Sequence, residues 1–283
     1  ARGHGHGGVR HGDVLQVERA APLAARLDHV PGAVGGLHVA GDDRMNRWIK
    51  SIAALVATLA CTAATPPGMD PDNPTCPAKP NWSDYRTMVL TPFQRSGETV
   101  LLAEGRVDSE LPARLEKVLT DNPSISEIWI RSPGGDARAG NAAGLLIRKF
   151  SKERQMVTRI PAGWSCFSAC NFVFMGGRAR TIDPGGYFMV HMFTMTGDKN
   201  AIQSSVALGA ESTTELISDV EREAALMATE DNDLLIRLDV SRDLLSDIMY
   251  RQKSVATESD RSTRRCLTMA EALRYNVINI EPD

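Results

Sequence analysis

Histidine and aromatic residues are scarce in this sequence of 283 residues. Phe, Trp and Tyr make up 5% of it, and five of the six histidines lie in the first 44 residues, which leaves only His191 beyond them. With one histidine and no paired C-x-x-C spacing, a zinc site is not expected, and the sequence predicts no metal and no other cofactor. The formal net charge of −3 also gives no electrostatic basis for binding nucleic acid.

Long apolar runs are also missing from the N-terminal third. Residues 45–64 have a basic start, a short apolar core and small residues after it, which is the layout of a secretory signal peptide. The apolar core is far shorter than the ~20 residues that a membrane span requires. Cys61 suggests a lipoprotein cysteine, although Thr58 stands where a lipobox has leucine. We therefore expect a periplasmic or secreted protein that contacts a membrane only if it is lipidated at Cys61.

The composition divides the rest of the chain into three parts. Residues 1–44 contain no aromatic residue and no Lys, Ile, Ser or Thr, which is typical of an unstructured leader or of translation from upstream of Met45. Their GHGHGG run alternatively reads as a metal-binding tract. Residues 65–96 are predicted to be a linker and lead-in, because residues 65–82 hold six prolines. One folded domain is expected over residues 97–283.

Export changes the interpretation of the cysteines. Four of them follow the predicted signal peptide: Cys76, Cys166, Cys170 and Cys266. An even number in an oxidising compartment predicts disulfide bonds. Four cysteines allow three pairings, and the sequence alone does not choose among them.

Strand and helix patterns alternate through the predicted domain. Apolar and β-branched residues predict strands at 99–107, 126–132 and 156–161, with helices at 111–120 and 139–150 between them. Further elements follow: a strand at 187–193, helical stretches at 201–228 and 232–252, and a helix with a short strand within 266–279. This alternation predicts an α/β domain with a largely parallel sheet.

Three segments are candidates for chemistry. Ser168, in the run C-F-S-A-C, is either a core serine, part of a disulfide clip, or a nucleophile at a strand-to-helix turn, where the N–H of Ala169 would stabilise an oxyanion. The Ser-Pro-Gly-Gly sequence at 132–135 is either an ordinary turn or a place where the backbone approaches a substrate. His191 is either a core residue or the base that an attacking serine needs.

The order of these motifs resembles the Clp protease proteolytic subunit (ClpP) family, within the ClpP/crotonase superfamily. Residues 98–195 run through a strand, a helix, a strand ending in S-P-G-G, a helix, a serine turn, a G-x-R segment and a strand with histidine. Residues 265–279 resemble the family's closing motif. The resemblance implies a spiral of β-β-α units with a mostly parallel sheet and flanking helices. The C-x-S-x-C run resembles the exported branch of the superfamily.

The resemblance also implies roles for individual residues. Ser168 matches the nucleophile and His191 the general base. The N–H groups of Gly135 and Ala169 match the oxyanion hole. Gly134 is expected to contact substrate, because paired glycines let the backbone come close to it. A bridge between Cys166 and Cys170, or from one of them to Cys76 or Cys266, would fix the serine turn.

One member of the family's catalytic triad is out of place. Thr263-Arg264-Arg265 stands where the family has its aspartate. We take Asp260 as the third catalytic residue, with Glu258 as a near alternative and Asp239 and Asp243 further away. The segment between His191 and Cys266 is also longer than is usual in the family.

These observations favour a serine hydrolase, in particular a peptidase that forms an acyl-enzyme with a peptide or protein substrate. The missing aspartate supports an alternative, a catalytically inactive binding or scaffold protein of the same fold. A crotonase-type acyl-CoA enzyme is disfavoured by export, and a serine–lysine mechanism would have to use Lys149 or Lys152. The resemblance implies a homo-oligomer, for which the sequence carries no motif of its own.

Overall fold

The computed structural model describes residues 66–281. The predicted leader, the predicted signal peptide and Cys61 lie outside the described residues, so these assignments stay predictions.

Five strands form the main sheet of the domain. They are β1 (Val89–Arg95), β2 (Glu98–Glu104), β3 (Ile125–Arg131), β4 (Val157–Ile160) and β6 (Ala179–Ile182). Their spatial order is β1-β2-β3-β4-β6. β1 pairs with β2 in antiparallel fashion, and every other pair in this sheet is parallel. The sheet is therefore mostly parallel, as predicted.

Three shorter strands form a second sheet beside the first. They are β5 (Ser165–Phe167), β7 (Tyr187–Val190) and β8 (Arg265–Cys266), in the order β5-β7-β8. β5 and β7 are parallel, whereas β8 runs antiparallel to β7. Isolated parallel bridges from Val107 to Gly135 and from Ser132 to Cys166 extend this layer beyond β5. The ends of the main-sheet strands thus lead into a second layer.

Helices cover the sheets and follow the strands in a repeating order. They are α1 (Leu111–Asp121), α2 (Ala137–Glu153), α3 (Ala169–Met175), α4 (Lys199–Leu208), α5 (Ala210–Arg237) and α6 (Met269–Arg274). A strand of the main sheet, a strand of the second sheet and a helix succeed one another as β4-β5-α3 and again as β6-β7-α4. The α/β fold class and its β-β-α units are confirmed.

The core explains why these helices form where they do. α1 buries Leu111, Leu115 and Leu119, which recur every four residues on one face of the helix. β3 buries Ile125, Ile128 and Ile130, and the alternation of a strand places Ile128 and Ile130 on the same face of the sheet. Apolar burial of this kind stabilises the layers by roughly 25 cal/mol per Å² of surface removed from water.

The packing of α2 on α3 depends on a residue without a side chain. A Cβ atom placed on Gly140 of α2 would lie 2.6 Å from the carbonyl oxygen of Ala169, at the start of α3. Since real Cβ atoms do not approach oxygen so closely, only glycine permits this contact. The two helix backbones therefore meet directly beneath the turn that carries Ser168.

The segment predicted as a linker and lead-in contributes to the domain. β1 lies within it, and the sequence prediction missed this strand because Pro92 interrupts it. A proline is compatible with β1 because β1 is an edge strand of the sheet. Cys76, also in this segment, is fully buried and bonded to Cys266. Residues 66–96 are therefore fixed to the body of the domain.

The long helical region after His191 differs from its prediction in three places. α5 continues through residues 229–231, where the prediction separates two helical stretches. Gly209, with φ of +104°, separates α4 from α5. α5 ends at Arg237, and a π-helical turn at Leu244–Ile248 with a 3-10 turn at Met249–Arg251 replaces the predicted continuation to residue 252. Asp239, with φ of +57°, lies between α5 and the π-helical turn and interrupts the helical backbone. Within residues 66–281 no helix combines the length and apolar character that crossing a membrane requires.

Candidate active site

Ser168 occupies a sharp turn between β5 and α3. Its backbone has φ of +58° and ψ of −127°, a conformation that residues with a side chain adopt only at a cost of about 1–3 kcal/mol. The turn lifts the serine out of the strand, and the residue is partly exposed although its neighbours Cys166 and Ala169 are buried. A strand, a strained serine and a helix in this order present a hydroxyl for reaction.

His191 meets the serine across the second sheet. β5 and β7 are parallel neighbours, with Phe167 paired with Met189. Ser168 and His191 both follow these strands, so the ends of the two strands bring them together. The ring nitrogen Nε2 of His191 lies 2.7 Å from Oγ of Ser168, within hydrogen-bond distance.

Burial keeps the imidazole neutral. It lowers the pKa of His191 below 6.5, and a hydrogen bond with the backbone of Met192 offsets part of this effect. At neutral pH the ring is therefore uncharged and able to accept a proton. The hydroxyl of Ser168 is the group within its reach.

The glycine pair lies against the serine turn. The N–H of Gly134 donates to the hydroxyl oxygen of Ser132 at 3.0 Å, which holds the loop after β3. Gly134 has φ of +83°, and a Cβ atom there would lie 2.6 Å from Cβ of Ser168. The loop thus reaches the turn only because residue 134 lacks a side chain.

Two backbone N–H groups next to Ser168 are available to a ligand. Neither the N–H of Gly135 nor that of Ala169 has an acceptor among residues 66–281. Asp136 follows Gly135 at once and caps α2 by accepting from the N–H of Ala139 at 2.9 Å, which fixes this end of the loop. Donors that are held in place without a partner can stabilise negative charge on a bound carbonyl oxygen.

The disulfide pairing is now defined. Cys166 is bonded to Cys170, so one bridge spans the serine turn from β5 to α3. Cys76 is bonded to Cys266 across 190 residues of chain, which ties the N-terminal segment to β8. Both bridges restrict the backbone around the second sheet, where Ser168 and His191 lie.

An aromatic row that the sequence analysis missed supports the imidazole. The ring centroids of Phe167 and His191 lie 4.7 Å apart, and the ring of Trp82 stacks on that of Phe167 at 6.0 Å. Phe167 directly precedes Ser168, so its position in the sequence could have been used to predict that it lies in the site. Trp82 could not have been found, because it belongs to the segment predicted as a linker.

The structure does not bring the predicted third catalytic residue, Asp260, into hydrogen-bond contact with His191. The carboxylate of Asp260 accepts hydrogen bonds from the backbone and the hydroxyl of Ser262 and lies 3.8 Å from Lys253. The alternatives Glu258, Asp239 and Asp243 are exposed, and Asp239 faces Arg148. In the described part of the chain, no ion pair or hydrogen bond joins His191 to a carboxylate.

An arginine occupies the region from which the family's aspartate would come. β7 and β8 pair Val190 with Arg265, and the next residues in that register are His191 and Arg264. The guanidinium of Arg264 is bound to the carboxylate of Asp70, which lowers the pKa of Asp70 against the opposing effect of burial. The carboxylate of Asp70 therefore bonds to Arg264 and not to the imidazole of His191.

The lysines of the serine–lysine alternative lie elsewhere. Lys149 and Lys152 are in the last turns of α2, about 20 Å along the helix from the first turn beside Gly135. Lys149 also bonds to Glu116 at 3.3 Å. Neither lysine is placed to serve Ser168. Over residues 66–281 no group of three or more His, Cys, Asp or Glu side chains is arranged to hold a metal ion.

Comparisons with known proteins return structural similarity alone. No protein-family model matches the chain, and no curated protein matches it. A point mutant of ClpP1 from Listeria monocytogenes is similar, with 21% identity and a TM-score of 0.41 over 65% of this chain and 90% of that one. A point mutant of the membrane-bound stomatin-specific protease 1510-N has 14% identity and a TM-score of 0.39 over 64% of this chain and 76% of that one. At these values neither protein assigns an activity or a substrate to the chain.

Replacing Gly134 by alanine tests the contact between the glycine loop and the serine turn. We expect Gly134→Ala to lower the free energy of unfolding, because the new methyl group would meet Ser168 and the carbonyl oxygen of Phe167 at 2.5 Å. Gly97→Ala is the matched control, since Gly97 has φ of +88° but no atom within 4 Å of an added Cβ. Chemical denaturation of both variants measures the difference.

The control carries the backbone cost of positive φ alone, about 1 kcal/mol. The contact predicts a loss at Gly134 that is larger than this by at least about 1 kcal/mol. Equal losses in the two variants would show that the loop does not press against the turn.

Proposed function

We propose that the chain is a serine hydrolase of the ClpP-like type, specifically a peptidase that acts through an acyl-enzyme. The observation that carries the proposal is the 2.7 Å contact between Oγ of Ser168 and Nε2 of His191, at a strained turn beside two unbonded N–H groups. A nucleophile, a neutral base and two donors are the parts that acyl transfer from an amide requires.

The chemistry follows from this arrangement. Oγ of Ser168 attacks the carbonyl carbon of the substrate while its proton passes to Nε2 of His191. The oxygen of the tetrahedral intermediate accepts hydrogen bonds from the N–H groups of Gly135 and Ala169, each worth about 3 kcal/mol of barrier. His191 then gives the proton to the leaving amine, which leaves an ester on Ser168. Water, deprotonated by the same imidazole, hydrolyses that ester and restores both side chains.

An apolar cleft beside the histidine supports peptides with large apolar side chains as substrates. The cleft encloses about 380 Å³ and begins at Met192, the residue after His191. It continues between α4 and α5, where its lining includes Phe193, Ile202, Val206, Leu216 and Val220. A substrate side chain in this cleft would place the adjoining peptide bond next to the imidazole.

In the described residues His191 has no carboxylate partner, which supports a second candidate function, a catalytically inactive binding or scaffold protein. A carboxylate normally holds the ring in the tautomer that accepts the serine proton, and loss of that tautomer slows serine proteases by up to about 10⁴. Here the ring is supported by Phe167 and by the backbone of Met192. We therefore expect slow turnover from the hydrolase.

Two disulfide bonds support export to an oxidising compartment, because thiols of cytosolic proteins are kept reduced. We propose a periplasmic or secreted location and membership of the exported branch, with residues 45–64 as the signal peptide. Homo-oligomerisation is proposed from the resemblance alone.

Covalent labelling of Ser168 is the direct test of the proposed function. We expect a fluorophosphonate probe to label the protein, and Ser168→Ala to abolish the label. Ser165→Ala is the matched control, since Ser165 is three residues earlier, fully buried and without a partner for its hydroxyl in the described chain. Labelling of this control should equal that of the wild type.

Two results would separate the candidate functions. Labelling that is reduced at least about 10²-fold in His191→Ala supports the base assigned here. A folded wild-type protein that takes up no label contradicts the hydrolase and supports the binding or scaffold protein.

The pH dependence of labelling tests the state of the imidazole. Because burial lowers the pKa of His191, the neutral base persists to acidic pH. The labelling rate should rise with pH, reach half its maximum below pH 6.5 and stay level through neutrality. A midpoint above pH 6.5 would reveal a carboxylate next to the ring, since a neighbouring negative charge raises the pKa of histidine.

A further inference from the structure

A basic cleft lies at the far end of α2 from Ser168. It has a volume of about 700 Å³ and is formed by the last turns of α2, the start of β6, the end of α5 and residues after α6. Six of its eleven lining residues are basic: Arg148, Lys149, Lys152, Arg178, Arg180 and Arg237. Asp239 is the one acidic residue among them, so the lining has a formal charge of +5, in a chain whose net charge is −3.

Arg180 holds a positive charge inside the protein at the base of the cleft. Its side chain is fully buried, and its guanidinium donates to the carbonyl oxygens of Gly177, Leu238, Asn276 and Val277 at 2.8–3.3 Å. Among the ion pairs of residues 66–281, none includes Arg180. Carbonyl dipoles satisfy its hydrogen bonds but leave its charge uncompensated.

Arg148 adds a second guanidinium to the same place. It donates to the carbonyl oxygen of Leu238, which also accepts from Arg180, so the two cations share one acceptor. Its side chain is 14% exposed, its Nε is buried without a partner, and its one acidic neighbour is Asp239 at 3.6 Å. Burial and then repulsion by Arg148 lower the pKa of Arg180 to about 10. Asp239 offsets one of these two positive charges, so the pair keeps a net positive potential.

Three more cations stand exposed around this pair. Lys152, Arg178 and Arg237 take part in no ion pair within the part of the chain that the structure describes. Arg180 fastens residues 276–277 through their carbonyl oxygens, and Arg148 and Arg180 both bond to Leu238, but this structural role does not require further basic residues beside them. Repulsion among the five side chains costs stability unless an anion enters the cleft.

We propose that this cleft binds a diphosphate group. Guanidinium groups donate two hydrogen bonds at once to phosphate oxygens, and a diphosphate carries roughly three negative charges at neutral pH, which suits the charge of the lining. Leu145 is the one apolar residue of the lining, so the cleft receives the charged part of a ligand. The volume exceeds that of a single phosphate ion. This binding is independent of the proposed hydrolase, because α2 separates the cleft from Ser168 by about 20 Å.

Isothermal titration calorimetry of the full chain with sodium pyrophosphate tests the site. At neutral pH and about 150 mM salt, where weak surface attraction is screened, we expect saturable binding of one pyrophosphate per chain. Arg178→Gln and Arg237→Gln should each weaken binding at least about tenfold, since each removes a charge-assisted hydrogen bond. These two side chains are exposed, so their replacement leaves the carbonyl bonds of Arg180 intact.

Arg222→Gln is the matched control, because it removes the same charge from α5 outside the cleft, where Arg222 bonds to Asp219. Its affinity for pyrophosphate should stay within about twofold of that of the wild type. Citrate, a carboxylate anion of similar charge, should bind at least about tenfold more weakly than pyrophosphate. Absence of saturable binding, equal weakening in Arg222→Gln, or equal affinity for citrate would overturn the proposal. Ser168→Ala should bind pyrophosphate normally, which separates this result from the test of the hydrolase.

Discussion

The candidate site depends on the parallel pairing of β5 with β7. Both strands are short, and each is followed at once by a residue of the site, Ser168 after β5 and His191 after β7. Hydrogen bonds between the two strands therefore set the distance between hydroxyl and imidazole. The disulfide between Cys166 and Cys170 holds β5 to α3. β8 pairs with β7, and the disulfide between Cys76 and Cys266 ties the N-terminal segment to β8. Most of what surrounds the site serves to keep these two strand ends in place.

The missing carboxylate distinguishes this site from a complete catalytic triad. In a triad, an acid fixes the tautomer of histidine and compensates the charge that it acquires. Here Arg264, the residue before β8, stands at the corresponding register, and that arginine is bound to Asp70. The ring relies on an aromatic neighbour and on burial, and burial opposes the charge that catalysis must create. The proposed hydrolase would therefore have a favourable geometry for proton transfer from Ser168 and an electrostatic environment that slows it.

Much of the fold was predictable because its signals are local. The alternation of strands and helices, the glycine pair after β3 and the position of Ser168 before an apolar helix follow from residue type and spacing. The disulfide pairing and the contacts of Asp260 were not predictable, because they depend on how segments distant in sequence meet. Trp82 shows the same limit, since a proline-rich segment gives no periodic pattern even when it packs against the domain. The basic cleft was also hidden, because its residues come from four separate elements.

The crystal structure of the protein after reaction with a fluorophosphonate tests the central claim most directly. The account predicts phosphorus bonded to Oγ of Ser168, a phosphoryl oxygen within hydrogen-bond distance of the N–H groups of both Gly135 and Ala169, and Nε2 of His191 beside the modified serine. A phosphoryl oxygen that points into solvent, away from both N–H groups, would contradict the account, because the unbonded donors would then have no part in holding negative charge.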